Sequence, residues 1–360
     1  MFHGARILVA PLDWGLGHAA RCVPVVKALL HHGAVPVIAA DAGPLALLRA
    51  EFPDLEHVRL PGITICYARG SSQLWTMARQ FPAMLRSVRE EQAALQELRR
   101  HLRVDAVISD QRFGVRADDI PSVVITHQVF PFTPLAQGAM RKLNLRHLAR
   151  FQRCWVMDEP EAPGLAGALS HGTAMPANAR YIGVLSRMNG DAPLPARAHD
   201  VVAVISGPEP QRTVLEERIL QQLGAMPGAH LLVRGLPGSG GMEQRGNTTL
   251  VPHLGAVALA SELRHAGMIV SRTGYTTIMD LVAMGRTALV VPTPGQEEQE
   301  YLGQLHRGTG RFVVQQQDTL DLPAGRAQLD AHQWSGPVPN TSGELLTAAL
   351  QDLADLLRWS

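Results

Sequence analysis

Cysteine is scarce in this chain of 360 residues: Cys22, Cys66 and Cys154 stand far apart, with no paired spacing. That excludes a disulfide-stapled secreted scaffold and a cysteine-based zinc site, and it predicts reduced thiols. Long apolar runs are missing as well. No stretch approaches the roughly 18 residues of a membrane-spanning helix. The opening MFHGARILVAPL has neither the charged leader nor the long apolar centre of a signal peptide. The chain is therefore expected in the cytoplasm, with any membrane contact confined to its surface. Nor is there an excess of charge. Lys and Arg number 33 against 32 Asp and Glu, a formal net charge of +1, so no overall field draws the protein to nucleic acid. With 46% hydrophobic and 18% charged residues the composition is globular rather than disordered. No repeat at solenoid period and no low-complexity tract is present, and no metal site is expected.

What is present is a twice-begun alternation of apolar strands and helices, the mark of an α/β protein with doubly wound sheets. Arg6 to Leu12 reads as a buried strand, residues 13–18 as a glycine-rich turn, and Ala19 to His32 as a helix with Val23, Val26, Leu29 and Leu30 on its apolar face. Gly33 ends that helix, and Val35 to Ala40 is the second strand. A helix follows over Trp75 to Leu102, its second half a solvated face with opposite charges on neighbouring turns. Further strands are expected at Val104 to Ser109, ending on Asp110, at Ser122 to Thr126, ending on His127, and at Cys154 to Met157. The polar, proline-containing segment 186–199 reads as a linker. A second alternation then begins with strand Val201 to Ile205, turn Ser206-Gly207-Pro208, helix Gln211 to Leu223, strand His230 to Arg234 and a strand at Thr249 to Pro252.

The length suits two domains, each with its own core. We expect a first domain over 1–185, a second over 200–330, and a tail over 331–360. The tail ends in an amphipathic helix, Gly343 to Trp359, with Leu345, Leu346, Leu350, Leu353, Leu356 and Leu357 on one side.

The chain is organised around Ile269 to Gln299. A short buried strand runs into the turn Ser271-Arg272-Thr273-Gly274, and a helix from Tyr275 to Met284 carries Ile278, Leu281 and Val282 at helical spacing. A turn of this composition ahead of a helix offers backbone N–H groups and the positive end of a helix dipole to a phosphate. Tyr275 and Thr276 open that helix, and Asp280 lies further along it. After the next strand, Thr287 to Val291, Gln296, Glu298 and Gln299 form a polar cluster where ligands of open α/β sheets bind. The features read either as a nucleotide site built on two strand ends or as an ordinary βαβ unit with a polar rim. The first turn supports a rival. Gly15, Gly17 and Ala20 follow a strand and open a helix, and Asp41 ends the next strand, close to a dinucleotide fingerprint. Trp14 and His18 crowd the position that a pyrophosphate needs, which weighs against an NAD(P)-binding oxidoreductase.

These stretches resemble the GT-B glycosyltransferases of the family 28-like group, typified by the bacterial peptidoglycan N-acetylglucosaminyltransferase. Arg272-Thr273-Gly274 match its diphosphate turn, Asp280 falls where its ribose-binding carboxylate lies, and Glu298-Gln299 resemble its sugar-binding pair. Gly17-His18 match the Gly-His that closes the first strand of its acceptor domain, and Asp110 resembles the Asp that orients the His. The chain departs from the pattern at Leu302-Gly303, where Asn-Ala often stands, and at Ser206-Gly207-Pro208, where Pro208 removes one donor from the phosphate loop.

The resemblance implies two Rossmann-like domains facing a cleft, with the C-terminal helix packed back on the first. It implies an inverting, metal-independent hexosyltransferase type of enzyme using a nucleotide-diphosphate sugar, UDP-sugar favoured, and no further cofactor. Its base would be His18, oriented by Asp110, because a histidine takes a hydroxyl proton near neutral pH. Donor contacts are expected from Ser206, Gly207, His253, Leu254, Ser271, Arg272, Thr273, Gly274, Tyr275, Thr276, Asp280, Gln296, Glu298 and Gln299, and acceptor-side contacts from Asp13, Trp14, Gly15, Gly17 and His127. No Asp-x-Asp pair occurs to bridge a metal to the diphosphate. The acceptor that the resemblance implies is a small molecule or a lipid-linked sugar. Arg141, Lys142, Arg146 and Arg150 among Leu143, Leu145 and Leu148 give a helix that can rest on an anionic membrane. A UDP-sugar 2-epimerase of the same fold and a non-catalytic nucleotide-sugar-binding protein are the alternatives.

Overall fold

The apolar runs build two sheets, each in its own unit of the chain. The structure, a computed structural model, describes all residues except 14, 63–72, 134–135, 189–198, 239, 332–333, 335–342 and 359–360, and only the backbone of 73–85. Trp14, Cys66, Trp359 and most of the expected linker thus lie outside the described residues. One compact unit takes Met1–Cys66, Leu74–Leu185 and Asn340–Ser360, and the other takes Ser186–Pro339.

In chain order the first unit holds β1 (Arg6–Pro11), α1 (Leu16–His31), β2 (Val35–Ala40), α2 (Ala42–Glu51), β3 (Glu56–Arg59), α3 (Gln73–His101), β4 (Ala106–Asp110), β5 (Ser122–Thr126), α4 (Gln137–Leu148), β6 (Arg153–Val156) and β7 (Ala179–Tyr181). The second holds β8 (Val201–Val204), α5 (Gln211–Leu223), β9 (His230–Val233), β10 (Glu243–Arg245), β11 (Thr248–Val251), α6 (Ala256–His265), β12 (Met268–Ser271), α7 (Tyr275–Ala283), β13 (Ala288–Val290), α8 (Glu297–His306), β14 (Phe312–Val314) and α9 (Leu322–Ala331). The last helix, α10 (Glu344–Arg358), returns to the first unit.

The first sheet runs β3-β2-β1-β4-β5-β6-β7, parallel throughout. The second runs β10-β11-β9-β8-β12-β13-β14, parallel except for the β10–β11 pair. A parallel sheet is covered on both faces, so its strands are apolar on both sides. Ile7, Leu8, Val9 and Ala10 are accordingly all buried, as are Val201, Val202 and Ala203. The connections diverge between β1 and β4 in one sheet and between β8 and β12 in the other, and a crevice opens at the carboxyl ends of such strands.

Helix α1 begins at Leu16 rather than Ala19, so Gly17 and His18 belong to its first turn. Gly15, at φ 137°, makes the approach to it. Helices α2, α6 and α9 and the three-residue strands β7, β10 and β14 are too short for periodicity to announce reliably. Cys22 and Cys154 are free and buried, and burial pushes the Cys154 thiol up to about 12.

Helix α10 seats Leu346, Ala349, Leu350, Leu353 and Ala354 in the first unit, and Arg153 of β6 forks onto its Asp352, with Nη2 donating to Oδ1 at 2.8 Å. Leu345 remains 40% exposed and Leu356 and Leu357 are half-buried, so the stripe is narrower than the leucines suggest. Truncating Leu353 leaves a cavity under the helix. Leu353→Ala is expected to cost about 2–5 kcal/mol in urea unfolding, and a loss below ~0.5 kcal/mol would show that α10 does not stabilise this unit.

Candidate active site

In the first unit the register of β1 with β4 sets Pro11 beside Asp110, and that of β4 with β5 sets Asp110 beside Ile125. The loop after β1, the last residue of β4 and the loop after β5 therefore meet at one point. His18 and Arg21 reach it from the first turns of α1, and His127 from the residue following β5. His18 Nδ1 lies 2.8 Å from Asp110 Oδ2. Arg21 donates through Nε to both Asp110 oxygens at 3.0 Å, also through Nη2 to Oδ1, and through Nη1 to His127 Nδ1 at 3.0 Å. Burial works against the Asp110 carboxylate, but the Arg21 and His18 charges and hydrogen bonds outweigh it and hold its pKa below the ordinary 3.8. Burial first, and the Arg21 charge second, push His18 below its ordinary 6.5, against the pull of Asp110. The His18 side chain keeps 17% exposure, so the ring still opens outward.

Asp13 joins a different cluster. Arg112, fully buried, donates to Glu91 Oε1 at 2.9 Å and to the Leu60 and Pro61 carbonyls, and its Nη1 lies 3.5 Å from Asp13 Oδ2. Burial raises the Asp13 carboxyl above its ordinary range, and Arg112 partly restores it. The structure thus brings His18, Asp110 and His127 together through Arg21, while Asp13 braces the loops after β1 and β3. Asp41, the acid that a dinucleotide site needs for a ribose, caps α2 and is bound by Arg59 at 2.8 Å.

In the second unit Ser271 pairs with Val204 on one side and Val290 on the other. The loops after β8, β12 and β13 therefore lie side by side. Helix α7 starts at Gly274 with no side-chain cap, and a Cβ at Gly274 would meet nothing nearer than Thr277 Oγ1 at 3.9 Å, so space lies over its first turn. His253 and Leu254 sit half-buried in the loop between β11 and α6. Gln296 precedes α8, and Glu298 and Gln299 are half-buried in its first turn.

Several of the expected donor residues are engaged within the protein. Arg272 turns its guanidinium inward. It is 1% exposed, and it donates to the carbonyls of Gln211 (2.7 Å), Val291 (3.4 Å) and Pro292 (3.2 Å) and to Gln317 Oε1 (2.6 Å). Burial lowers its pKa to about 10, still far above neutral pH. Thr273 is also turned inward, donating to the Gln299 carbonyl at 2.8 Å, and Ser271 and Tyr275 are buried. Gln299 spends its amide on its own loop, accepting from the Thr293 N–H at 2.9 Å and donating to Gln296 Oε1 at 2.6 Å. Asp280 is closed to a ribose here, because Ser186 Oγ donates to its Oδ1 at 2.7 Å and Arg187 Nε lies 4.0 Å from Oδ2.

Ser186, Arg187 and Met188, expected in the linker, are instead packed into the second unit. Arg187 is nine-tenths buried, and its Nε and Nη1 have no hydrogen-bond partner among the described residues. Composition hid these residues, since Ser-Arg-Met-Asn-Gly reads as loop. Arg21 left a fainter signal: it stands three residues after His18, on the same side of a helix. Arg272→Met removes the charged donor from those carbonyls, so without any ligand it is expected to cost about 1.5–3 kcal/mol in denaturant unfolding. An arginine that served only a bound phosphate would leave the ligand-free stability unchanged.

Residues 255–321 match the glycosyltransferase family 28 C-terminal domain, a span that includes the α7 turn, Asp280 and the α8 polar cluster. Among curated proteins none matches the chain by sequence. Solved structures are similar over nearly its whole length. The glycotransferase of kitacinnamycin aligns with TM-score 0.62 at 17% identity, over 98% of this chain and 95% of its own. The spinosyn rhamnosyltransferase SpnG gives 0.62 at 16%, over 98% and 96%, and has also been solved with thymidine diphosphate. MurG of Acinetobacter baumannii gives 0.51 at 14%, over 99% and 100%. Residues 255–321 of the second unit thus match a glycosyltransferase family 28 C-terminal domain, and the chain as a whole has the GT-B fold of these solved glycosyltransferases.

Proposed function

We propose that the protein transfers a sugar, with inversion, from a pyrimidine nucleoside diphosphate sugar to an acceptor hydroxyl, and that His18 is the base. The observation that carries this reading is the His18–Asp110 contact at the switch point of the first sheet. With Nδ1–H donated to Asp110, Nε2 keeps its lone pair. It takes the acceptor's hydroxyl proton as that oxygen bonds to the anomeric carbon, and the bond from that carbon to the diphosphate breaks, its electron pair leaving with the nucleotide. Asp110, oriented by Arg21, stabilises the imidazolium that forms.

On the donor side the positive end of α7, with no side-chain cap at Gly274, and the unpartnered nitrogens of Arg187 support binding of the diphosphate, with Asp280 anchoring Ser186 and Arg187 beneath it. In this reading those groups, and no metal, meet the charge of the leaving group. UDP is favoured by the family resemblance, and the thymidine diphosphate complex of SpnG supports dTDP as the second nucleotide to try. On the acceptor side, Arg141, Lys142, Leu145 and Arg146 of α4 line a groove of about 540 Å³ in the first unit. That supports an acceptor carrying negative charge, whether lipid-linked or free, and contact of α4 with an anionic membrane surface. No helix among the described residues is long and apolar enough to cross a membrane.

A thermal-shift series tests the donor site. At about a hundred times its dissociation constant a ligand adds roughly 2.7 kcal/mol, so UDP or dTDP is expected to raise the melting temperature. Arg187→Gln and Asp280→Ala should lose that rise, and His18→Ala should keep it. A rise with NAD alone would overturn the reading. Turnover tests the base. His18→Ala should lose about 10²–10⁴ in kcat, and a nucleotide-sugar-binding protein without catalysis would show no turnover in either form. Protonated His18 cannot accept the proton, and its pKa is held below 6.5. The rate should therefore rise with pH through a midpoint below 6.5; a midpoint above that value would place the base elsewhere.

A further inference from the structure

Arg21 is 3% exposed and lies on the face of α1 that carries His18. Its three nitrogens meet four other side chains: Nε faces both Asp110 oxygens, Nη1 faces His127 Nδ1 at 3.0 Å, and Nη2 lies 2.7 Å from His18 Nδ1 and 3.4 Å from Gln111 Oε1. Building on the reading of His18 as the base, we propose that Arg21 is the positioning residue of this site. It fixes the Asp110 carboxylate so that Oδ2 faces His18 and sets that ring's tautomer, and it sets the opposite tautomer of His127 directly.

The tautomers follow from donor chemistry. An arginine has donors and no acceptor. Its Nη1 contact therefore makes His127 Nδ1 the lone-pair nitrogen and puts that ring's proton on Nε2. At His18 the competition is between Asp110 and Arg21 for the same Nδ1. A lone pair on Nδ1 would face a carboxylate oxygen at 2.8 Å, two acceptors in repulsion, whereas Nη2 already has Asp110 Oδ1 and Gln111 Oε1 to receive its hydrogens. His18 therefore carries its proton on Nδ1 and its lone pair on Nε2, the arrangement a base needs.

Arg21 also sets the charge state of the base. The groups that face His18 are Arg21 from α1, Asp110 from the end of β4 and His127 from the loop after β5. Asp110 alone would draw a proton onto His18 before the acceptor arrives. With Arg21 neutralising Asp110, His18 waits unprotonated, and the imidazolium formed in the reaction gives its proton back readily.

The full chain tests this by ¹H–¹⁵N titration of its histidines without substrate, with His18 identified by its loss in His18→Gln. Arg21→Met should raise the His18 midpoint and move the acid limb of kcat to higher pH. Arg21→Lys keeps the buried charge, and so serves where Arg21→Met does not fold, but it has no fork. It should leave the midpoint near wild type, mix the tautomers of His18 and His127 in their ¹⁵N shifts, and lower kcat by about 10- to 100-fold. An unchanged midpoint in Arg21→Met, or wild-type tautomers and rate in Arg21→Lys, would overturn the proposal. The titration is read apart from turnover. If wild type fails with every pyrimidine nucleoside diphosphate sugar, the proposed function falls and the tautomer assignment still stands or falls on its own spectrum.

Discussion

The ion pair between Arg21 and Asp110 is the contact on which the first unit's chemistry and local fold both depend. Two charges in a protein interior are costly unless they are paired and hydrogen-bonded on every side. Asp110 is the last residue of β4, set next to the end of β1 by the sheet register, and it has no water to turn to. Its charge is tolerable there only because α1 starts early enough to bring Arg21 against it. Removing one member would strand the other, a loss of about 3–5 kcal/mol for a buried pair. The contact that keeps the strand end folded is thus the one that aims His18, so the site cannot loosen without the sheet loosening too.

The same device recurs under other loops. Arg112 ties Glu91 to the carbonyls of Leu60 and Pro61 beneath the loop of Asp13, and Arg272 ties the loops after β12 and β13 to the start of α5. Carbonyls at the ends of parallel strands have no sheet partner left, and a guanidinium presents several donors in one plane to collect them. Lysine has three donors but on one nitrogen, without the spread planar fork that reaches carbonyls of separate elements. In the second unit this bracing has a functional meaning. Arg272 and Thr273 are turned inward, and their side chains hold the turn that leads into α7.

The alternation of strands and helices was legible because both faces of these sheets are buried, which forces continuous apolar runs such as Ile7 to Ala10. The ends of elements were less so: His18 reads as loop because Gly15 and Gly17 flank it, yet only Gly15 lies outside the helix. The motif around Arg272 located the turn between β12 and α7 and left the side chain open, since a match fixes where a backbone runs and not which way a guanidinium points. Arg187 and Ser186 were hidden by the opposite effect. Their neighbours are typical of linkers, and only the tertiary contact with Asp280, nearly a hundred residues away, decides that they are buried. Arg21 looked like one of many charges on an amphipathic helix, because sequence shows a cation's spacing and not the anion waiting for it.

The resting charge of the site follows from these contacts. Asp110 is held ionised and His18 is held neutral, so with Arg21 the cluster carries no net charge before substrate binds. A neutral cluster avoids the desolvation cost that an unpaired imidazolium–carboxylate pair would incur in the same place. Positive charge then develops only when a proton reaches His18, at a point where the carboxylate dipole is already fixed and no reorganisation is needed to receive it. A histidine and a carboxylate with no third member would sit closer to the ion pair at rest, and part of the base would be protonated before use. The arginine keeps both pKa values below neutrality, so that at rest the carboxylate is ionised and the imidazole is free to take the proton.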